Sequence, residues 1–436
     1  MKVIDVCFST SLLDTKDCQN DFFSSLPGSV KEAILACLPL RDAVRTSVLS
    51  KHWRHSWTRL PHLKFDSTLW PQLSANEDSA FLTCIRRIFH VVLNHEGPMT
   101  KVTLSIPGFP GLKGCPEIDY LLLTLSKSDV EDLKLHIWSG SLLYRLPSAF
   151  FSCHKLKHVS LCSCLAHPPL GFAGFSQLLS IVMIDVSIDP EHLGNLVASC
   201  PLLELLKLKV FPAHESVLDI HAPKLKHFHI LSRIKSVCFK NTPLLEQVSF
   251  LDREKYEEHS MQGDFKLVEL FSSLPALRLL RIESNFTKGI AAGGIPTSAS
   301  LRAAHLSSVR MALFLDDLVG MPFVVFLLRI SPNLKEIKIS HIAGAGNISE
   351  KLHLHSLDVE EYSDVKLDQL RVVEMKGFAG ARNEVRLAKL LLIKSPRLEK
   401  MVIRANAKVC AEKQLLILKK LIRLPRPSPT AEIIYE

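Results

Sequence analysis

Apolar side chains recur along most of this chain at positions i, i+3 and i+5 of short segments, beginning at residue 99. In an extended strand, residues i+3 and i+5 point to the same side, so each segment predicts a short strand with one buried face. The segments are spaced by about 27 residues on average, a period typical of repeat proteins. Their first apolar residues are Met99, Val130, Leu156, Leu178, Leu203, Leu225, Leu245, Leu277, Leu301, Leu334, Leu370 and Leu398.

The sequence between these strands also repeats. A proline stands two residues before the first leucine of six copies, at Pro201, Pro223, Pro243, Pro275, Pro332 and Pro396. Signals for a helix start follow several strands, at Pro116, Asp189, Asp264, Pro322 and Asn383. A unit of strand, turn, helix and turn predicts a solenoid, because each unit buries its apolar face only against its neighbours. A compact α/β domain with parallel strands uses the same elements, but the short repeated strands favour the solenoid.

Residues 26–60 show the spacing of short helices instead. Val30, Ile34 and Leu35 recur at helical intervals, and Ser29 with Glu32 predicts a capping box at the start of this helix. The helix is expected to end before Pro39, because the residue preceding a proline is pushed out of the helical region.

Two further short helices are predicted in the same stretch. The second begins near Arg41, and the third is amphipathic through Leu49, Trp53 and Trp57. Three such short helices cannot bury all of these apolar side chains against one another. The pattern therefore predicts a docking module that completes its core on another protein.

The run LPLRDAVRTSVLSKHWRHSW, residues 38–57, resembles the F-box of plant F-box proteins. Gly28 departs from that resemblance, since the family often carries an acidic residue there. The resemblance implies that the segment docks on the SKP-like adaptor of a cullin-based ubiquitin ligase. The residues that match the motif, and that are predicted to bind the adaptor, are Leu26, Pro27, Val30, Ile34, Leu35, Leu38, Pro39, Val48, Leu49 and Trp53.

Residues 367–404 resemble the FBD region that closes many plant F-box/leucine-rich-repeat proteins, through Gly377, Phe378, Gly380 and Glu384. A last strand is predicted at Ile433. The expected fold is α/β, with a small N-terminal three-helix F-box, a curved leucine-rich-repeat solenoid and a C-terminal FBD region. The predicted boundaries are 1–20 for a flexible tail, 21–66 for the F-box, 67–98 for a linker and helix, 99–366 for the solenoid and 367–436 for the FBD region.

Composition limits the compartments and the kinds of partner that the chain is expected to have. The chain has 436 residues, a net charge of +9 and a mean hydropathy of +0.18, yet it contains no apolar run long enough to cross a bilayer. Its 11 cysteines show no disulfide-framework spacing, which predicts a reducing compartment, the cytoplasm or the nucleus. The modest charge and the lack of aromatic platforms argue against nucleic-acid binding.

No catalytic motif is present, and neither a metal nor a cofactor is predicted. Cysteines and histidines do cluster between Cys153 and His167, but the Cys162-x-Cys164 gap is not the usual ligand spacing for zinc. These residues fall on or beside a repeat strand, where they are simply core and surface side chains.

Outward positions of the repeat strands carry nine basic and four acidic residues. We expect this face to bind an acidic or phosphorylated segment of a target protein, because a surface of one charge sign attracts the opposite sign. An ordinary solvated strand face is the competing interpretation. The predicted target-binding residues are Lys207, Lys209, Arg281, Lys338, Lys376, Lys400 and Arg404.

The resemblance and the repeats together imply a non-catalytic, substrate-recognition subunit of an SCF-type (cullin–RING) ubiquitin ligase. The F-box docks on the adaptor, and the repeats hold a target whose identity the sequence does not give. The alternative is a ligase-independent repeat scaffold or small-ligand sensor.

Overall fold

The computed structural model describes residues 23, 25–66, 69–70, 78–107, 115–138, 143–211, 217–231, 236–251, 266–283, 286, 294–296, 301–315, 320–341 and 362–436. The predicted tail, residues 1–20, and most of the predicted linker, residues 71–77, lie outside these ranges.

The described residues alternate between strands and short helices. The α-helices are α1 Gly28–Ala36, α2 Leu40–Arg45, α3 Asp78–Leu93, α4 Pro116–Ser126, α5 Pro190–Ala198, α6 Leu267–Ser272, α7 Gly320–Ile330, α8 Arg382–Lys394 and α9 Ala411–Ile422. The strands are β1 His62–Phe65, β2 Lys101–Ile106, β3 Asp132–Ile137, β4 Tyr144–Arg145, β5 His158–Cys162, β6 Cys164–Leu165, β7 Ser180–Ser187, β8 Leu205–Phe211, β9 Val217–His221, β10 His227–Leu231, β11 Ser236–Lys240, β12 Gln247–Leu251, β13 Leu279–Ile282, β14 Ser308–Leu313, β15 Glu336–His341, β16 Val372–Phe378, β17 Lys400–Ala405 and β18 Glu432–Tyr435.

One parallel sheet runs through the molecule in chain order. Its path is β1-β2-β3-β5-β7-β8-β10-β12-β13-β14-β15-β16-β17-β18, with β4 and β6 attached beside β7. Each strand pairs only with the preceding and following repeats, which is the topology of a solenoid. The predicted α/β solenoid is therefore confirmed, as is the last strand at Ile433.

Eleven of the twelve predicted strand segments carry buried apolar residues at all three positions. The copy at Leu301 is wrong, because Ala304 is exposed and the strand lies five residues later, where Leu306, Val309 and Met311 are buried. One earlier copy was missed: Leu60, Leu63 and Phe65 are buried at the same spacing along β1.

The recurring prolines occupy a fixed place in the turns before the strands. In each such copy the backbone N–H of the first leucine donates to the carbonyl three residues earlier, as from Leu203 to Cys200 at 3.2 Å and from Leu398 to Ser395 at 3.3 Å. The proline is the second residue of this turn, where its fixed φ is already suitable and its missing N–H is not needed. This geometry explains why the same spacing recurs six times.

A ladder of backbone hydrogen bonds connects successive repeats at the entrance to the strands. One carbonyl in each repeat accepts two N–H groups from the next, as Glu131 O accepts from Lys157 N at 2.7 Å and His158 N at 2.9 Å. Side chains at this ladder position pair across repeats in opposite charges, for example Glu131 with Lys157 at 2.8 Å and Glu204 with Lys226 at 2.8 Å. Unlike charges on neighbouring strands support the stacking, each by a fraction of a kcal/mol.

Helix starts were predicted with mixed success. Asp189 caps α5, accepting a hydrogen bond from Glu191 N at 2.9 Å, and the helices opening at Pro116 and near Pro322 are present. Asp264 lies outside the described residues, and the N-cap of α6 is Lys266; Asn383 lies inside α8, whose N-cap is Ala381. No helix among the described residues has both the length and the apolar character needed to cross a membrane.

Two features were not predicted. Strands β9 and β11 pair in a separate parallel sheet that packs against α5, in a part of the chain where repeats lack a helix. Trp70, placed in a linker by the sequence analysis, is buried instead. Its ring stacks on Phe81 with a centroid distance of 5.4 Å, and its Nε1 donates to Ser105 O at 2.7 Å.

Candidate functional site

The F-box segment contains two α-helices followed by two short 3₁₀ helices, Thr46–Val48 and Ser56–Arg59. Helix α1 ends before the Leu38-Pro39 pair, and α2 begins at Leu40, as expected. The predicted third α-helix is wrong, since residues 51–55 between the 3₁₀ helices form turns. The predicted cap is wrong too, because the N-cap residue is Pro27 and no side chain caps the helix.

Most of the residues predicted to bind an adaptor face solvent. Their exposed fractions are 40% for Val30, 37% for Ile34, 38% for Leu38, 52% for Val48 and 70% for Leu49. Pro27 and Pro39 are also exposed, and Leu26 is half-buried against the core. Because Val30 and Ile34 are four residues apart on α1, they share one face of that helix.

Leu35 and Trp53, which were predicted to bind the adaptor, belong instead to the chain's own core. Leu35 is fully buried and Trp53 is 3% exposed. The Trp53 Nε1 donates to Phe23 O at 3.1 Å, and Lys31 Nζ lies 5.7 Å from the centre of the Trp53 ring. These two residues hold the module together, so the exposed aliphatic side chains form the surface that is left for a partner.

Backbone hydrogen bonds connect the F-box directly to the solenoid. Carbonyl Thr58 O accepts from Glu96 N at 2.9 Å and Gly97 N at 3.0 Å, and Pro61 O accepts from Lys101 N at 3.0 Å. The His95 ring nitrogens lie 2.8 Å from Leu60 O and 2.9 Å from Gly97 O. Since β1 pairs with β2, the repeat sheet begins inside the predicted F-box rather than at residue 99.

A side chain at Gly97 is expected to disturb this junction. A Cβ atom there would lie 2.8 Å from Arg59 Cα, so Gly97→Ala requires a backbone shift that costs about 1–3 kcal/mol. Urea denaturation and proteolysis near residues 59–97 would measure the loss. Gly28→Ala is the matched control, because nothing lies within 4 Å of its Cβ position, and equal stabilities of the two variants would refute the assignment.

The exposed face of the sheet contains all seven predicted target-binding cations, but five of them pair with acids. Lys209 lies 2.9 Å from Asp185, and Arg281 lies 2.8 Å from Glu283. The other pairs are Lys338–Glu336 at 2.8 Å, Lys376–Glu374 at 3.4 Å, Arg404–Glu374 at 2.6 Å and Arg404–Glu436 at 2.8 Å. The face is therefore less positive than its basic residues alone indicate.

Lys207 and Lys400 differ from those five. Both are exposed, and neither forms an ion pair with a carboxylate of the described residues. They lie far apart in the sheet, on β8 and β17. The predicted seven residues thus do not form one uniform surface.

The turn after β16 explains the four FBD-like residues. Gly377 and Gly380 have φ values of 73° and 78°, which residues other than glycine rarely adopt, and Phe378 is buried. Glu384 is fully buried at the start of α8. Its Oε2 accepts from Ala379 N at 2.9 Å and Ala381 N at 2.7 Å, and its Oε1 lies 3.8 Å from His341 Nε2.

Comparisons with known proteins agree with this architecture. The F-box domain model matches residues 23–65, and the model described as "FBD-associated F-box protein At5g56370, LRR repeats" matches residues 118–339. F-box/FBD/LRR-repeat protein At1g13570 of Arabidopsis thaliana is 34% identical over 424 residues, covering 95% of this chain and 98% of that protein. The chain belongs to the F-box/FBD/LRR-repeat protein family.

Other Arabidopsis thaliana members are more distant. Putative F-box/FBD/LRR-repeat protein At2g05300 is 25% identical, and FBD-associated F-box protein At5g56370 is 23% identical. Each match covers 95% of this chain and 97% or 100% of the relative. The likeness thus extends over the F-box, the repeats and the FBD region together.

In this F-box/FBD/LRR-repeat protein, the cluster of cysteines and histidines lies within a repeat. Burial raises the pKa of Cys153 to about 12, and burial likewise raises the pKa of Cys164. In contrast to these two cysteines, His154 and His158 are exposed. Within the described ranges, no three His, Cys, Asp or Glu side chains come together as metal ligands would.

The exposed face also carries cations that were not predicted, among them Arg310. Arg310 projects outward from β14, in register with Arg281 on β13 and Lys338 on β15. Arg310 was not among the predicted residues because the strand was predicted at Leu301. The spacing of Leu306, Val309 and Met311 fits the same template and would have located it.

Proposed function

We propose that this F-box/FBD/LRR-repeat protein is the substrate-recognition subunit of an SCF-type ubiquitin ligase, with the F-box docking on a SKP-like adaptor. The observation that carries this proposal is the division of the F-box leucines and tryptophans. Leu35 and Trp53 complete an internal core, while Val30, Ile34, Leu38, Val48 and Leu49 stay exposed. A folded module that leaves five aliphatic side chains in water is typical of a protein-binding surface.

The charge around this surface indicates the character of the partner. Residues 23–60 contain six lysines and arginines against two acidic residues. Arg41, Arg45, Lys51 and Arg54 are all exposed. An adaptor with an apolar groove and an acidic rim would fit this module and would associate faster at low salt.

The connection between the F-box and the repeats also supports a role in substrate recognition. The hydrogen bonds that the carbonyl oxygens of Thr58, Leu60 and Pro61 accept from residues 95–101 fix the module on the first repeat. A target held on the repeats is then kept at a constant position relative to the adaptor. The chain contributes by proximity, bringing target lysines to a ubiquitin carrier, and not by bond-making chemistry of its own.

We also place the protein in the cytoplasm or the nucleus. The nine cysteines of the described ranges are free thiols, which suits a reducing compartment.

Co-purification of the full chain with a recombinant SKP-like adaptor tests the proposal. A stable complex that assembles with cullin and RING subunits, and that transfers ubiquitin to a co-captured protein, supports it. A chain that folds but fails to bind a panel of SKP-like adaptors refutes it. That outcome would leave a ligase-independent repeat scaffold or ligand sensor as the function.

A further inference from the structure

Six adjacent strands place a row of mostly basic side chains in register on the outward face of the sheet, and the one serine among them, Ser249, is buried. Each of these residues is the direct register partner of the next. We call this set the basic row: Lys207, His229, Ser249, Arg281, Arg310 and Lys338. It begins beside Val182 on β7 and ends beside Glu374 on β16, so both ends are defined.

The basic row differs from the charged ladder at the strand entrances. There, several neighbouring repeats carry opposite charges, so that pairs such as Glu131 with Lys157 and Glu204 with Lys226 neutralise each other. In the basic row no acid interrupts the series from Lys207 to Lys338. Arg281, Arg310 and Lys338 even lie side by side on three successive strands. Like charges in register destabilise a sheet, so this arrangement has a cost that stacking alone does not explain.

Three carboxylates beside the row, Glu283, Glu336 and Glu374, limit that cost. Glu283 pairs with Arg281, and Glu336 pairs with Lys338 at 2.8 Å and Arg310 at 3.6 Å. Burial opposes ionisation of Glu336, but hydrogen bonds from Lys338 and Ser308 outweigh it and keep the pKa of Glu336 below its usual range. Glu374 also lies 3.7 Å from Lys338, so three acids face the four cations.

The pKa of His229, in the same row, is affected by the positive charges around it. Burial lowers the pKa of His229, and the charges of His227, Lys207 and Arg281 lower it further. The local field around the centre of the basic row is therefore positive. An anionic partner would meet cations on both sides of His229.

We propose that the basic row binds an extended, carboxylate-rich segment of the target protein, lying across the strands. This inference rests on the proposed function, in which the repeats hold the target. Five strand spacings of about 4.8 Å give a row length of about 24 Å, which an extended chain covers in about seven or eight residues. Glutamates at alternate positions of such a segment project to one side and reach Lys207 at one end and the Arg281–Arg310–Lys338 group at the other.

Fluorescence anisotropy on the full chain tests this assignment with three labelled eight-residue peptides. One carries glutamate at alternate positions, the second glutamine, and the third phosphoserine. We expect the glutamate peptide to bind at least about tenfold more tightly than the glutamine peptide, with an affinity that falls as salt rises. Equal binding of the first two peptides, or binding of the phosphoserine peptide alone, overturns the proposal.

Matched charge reversals locate the site. Lys207→Glu with Arg310→Glu is expected to weaken glutamate-peptide binding by at least about tenfold. The control, Lys134→Glu with Lys400→Glu, makes the same change in net charge on the same face but outside the basic row, and is expected to weaken binding less than about threefold. Equal effects of the two pairs would mean that binding depends on overall charge, not on this row. Lys207→Gln with Arg310→Gln removes the same two positive charges without introducing acids. It is also expected to weaken glutamate-peptide binding, which would show that the loss does not come from misfolding caused by the new acids.

The two proposals fail separately. Loss of peptide binding with intact adaptor binding refutes the basic-row assignment and leaves the ligase role standing. Peptide binding by a chain that binds no adaptor refutes the ligase role alone.

Discussion

Replacing Leu38 and Leu49 together by aspartate is expected to abolish binding to a SKP-like adaptor while the protein stays folded. Both side chains are exposed in the free chain, at 38% and 70%, so the change costs the fold little. In the complex, the two new carboxylates would be buried in an apolar interface without partners. We expect at least about a 100-fold loss of affinity, measured by surface plasmon resonance against immobilised adaptor.

Two controls separate docking from folding. Leu415→Asp changes an equally exposed leucine on α9, at the opposite end of the sheet, and is expected to leave adaptor binding unchanged. Trp53→Ala removes a buried core residue and should lower both the stability of the F-box and its binding. If the Leu38/Leu49 double variant binds the adaptor as tightly as the original chain, the docking surface is assigned wrongly.

The sequence predicted the existence of the docking module but not which apolar residues face outward. Helix α1 has apolar side chains on two sides, Leu35 on one and Val30 and Ile34 on the other. Helical spacing marks all three as apolar without telling which side meets the chain's own core. That choice depends on Trp53 and on other residues more distant in the chain, which fill the interior.

The repeat strands were more predictable than the docking module, because the apolar pattern of each strand predicts which of its side chains are buried. Alternating apolar residues specify the inner face, and a large apolar side chain at each inner position leaves little freedom in register. The exception, at Leu301, arose where a second leucine five residues later gave an equally good match. Strands β9 and β11 were missed because each has only two buried apolar residues at alternate positions, and such a short alternation is a weak signal for a strand.

Electrostatics of the exposed face could not be deduced from the list of charged residues. Lys209 and its partner Asp185 are 24 residues apart, and Arg404 and Glu374 are 30 apart. Their proximity is set by strand register and, for Asp185, by a φ of 53° at an irregular position in β7. Register is also what unites Lys207, Arg281, Arg310 and Lys338 in a single row, which their positions in the sequence do not reveal.

Removing the buried carboxylate of Glu384 is expected to have the largest effect on stability. Its Oε2 accepts two backbone N–H groups, at Ala379 and Ala381, and its Oε1 faces His341 on β15. Glu384→Ala would leave both amides without their acceptor inside the protein. Breaking such a buried arrangement by deleting one member typically costs about 3–5 kcal/mol.

Urea denaturation and hydrogen exchange at the Ala379 and Ala381 amides would measure the effect of Glu384→Ala. Glu399→Ala is the matched control: Glu399 lies 3.1 Å from Arg371 but is exposed, so its loss should change stability by less than about 1 kcal/mol. Glu384→Gln keeps an oxygen acceptor for the two amides but replaces the carboxylate by an amide, and its stability should fall between those of the other two variants. Because the turn that Glu384 organises joins β16 to α8, we expect exchange to accelerate first in strands β16 to β18. Similar stabilities for Glu384→Ala and Glu399→Ala would show that the turn is held by Phe378 and the glycine geometry alone.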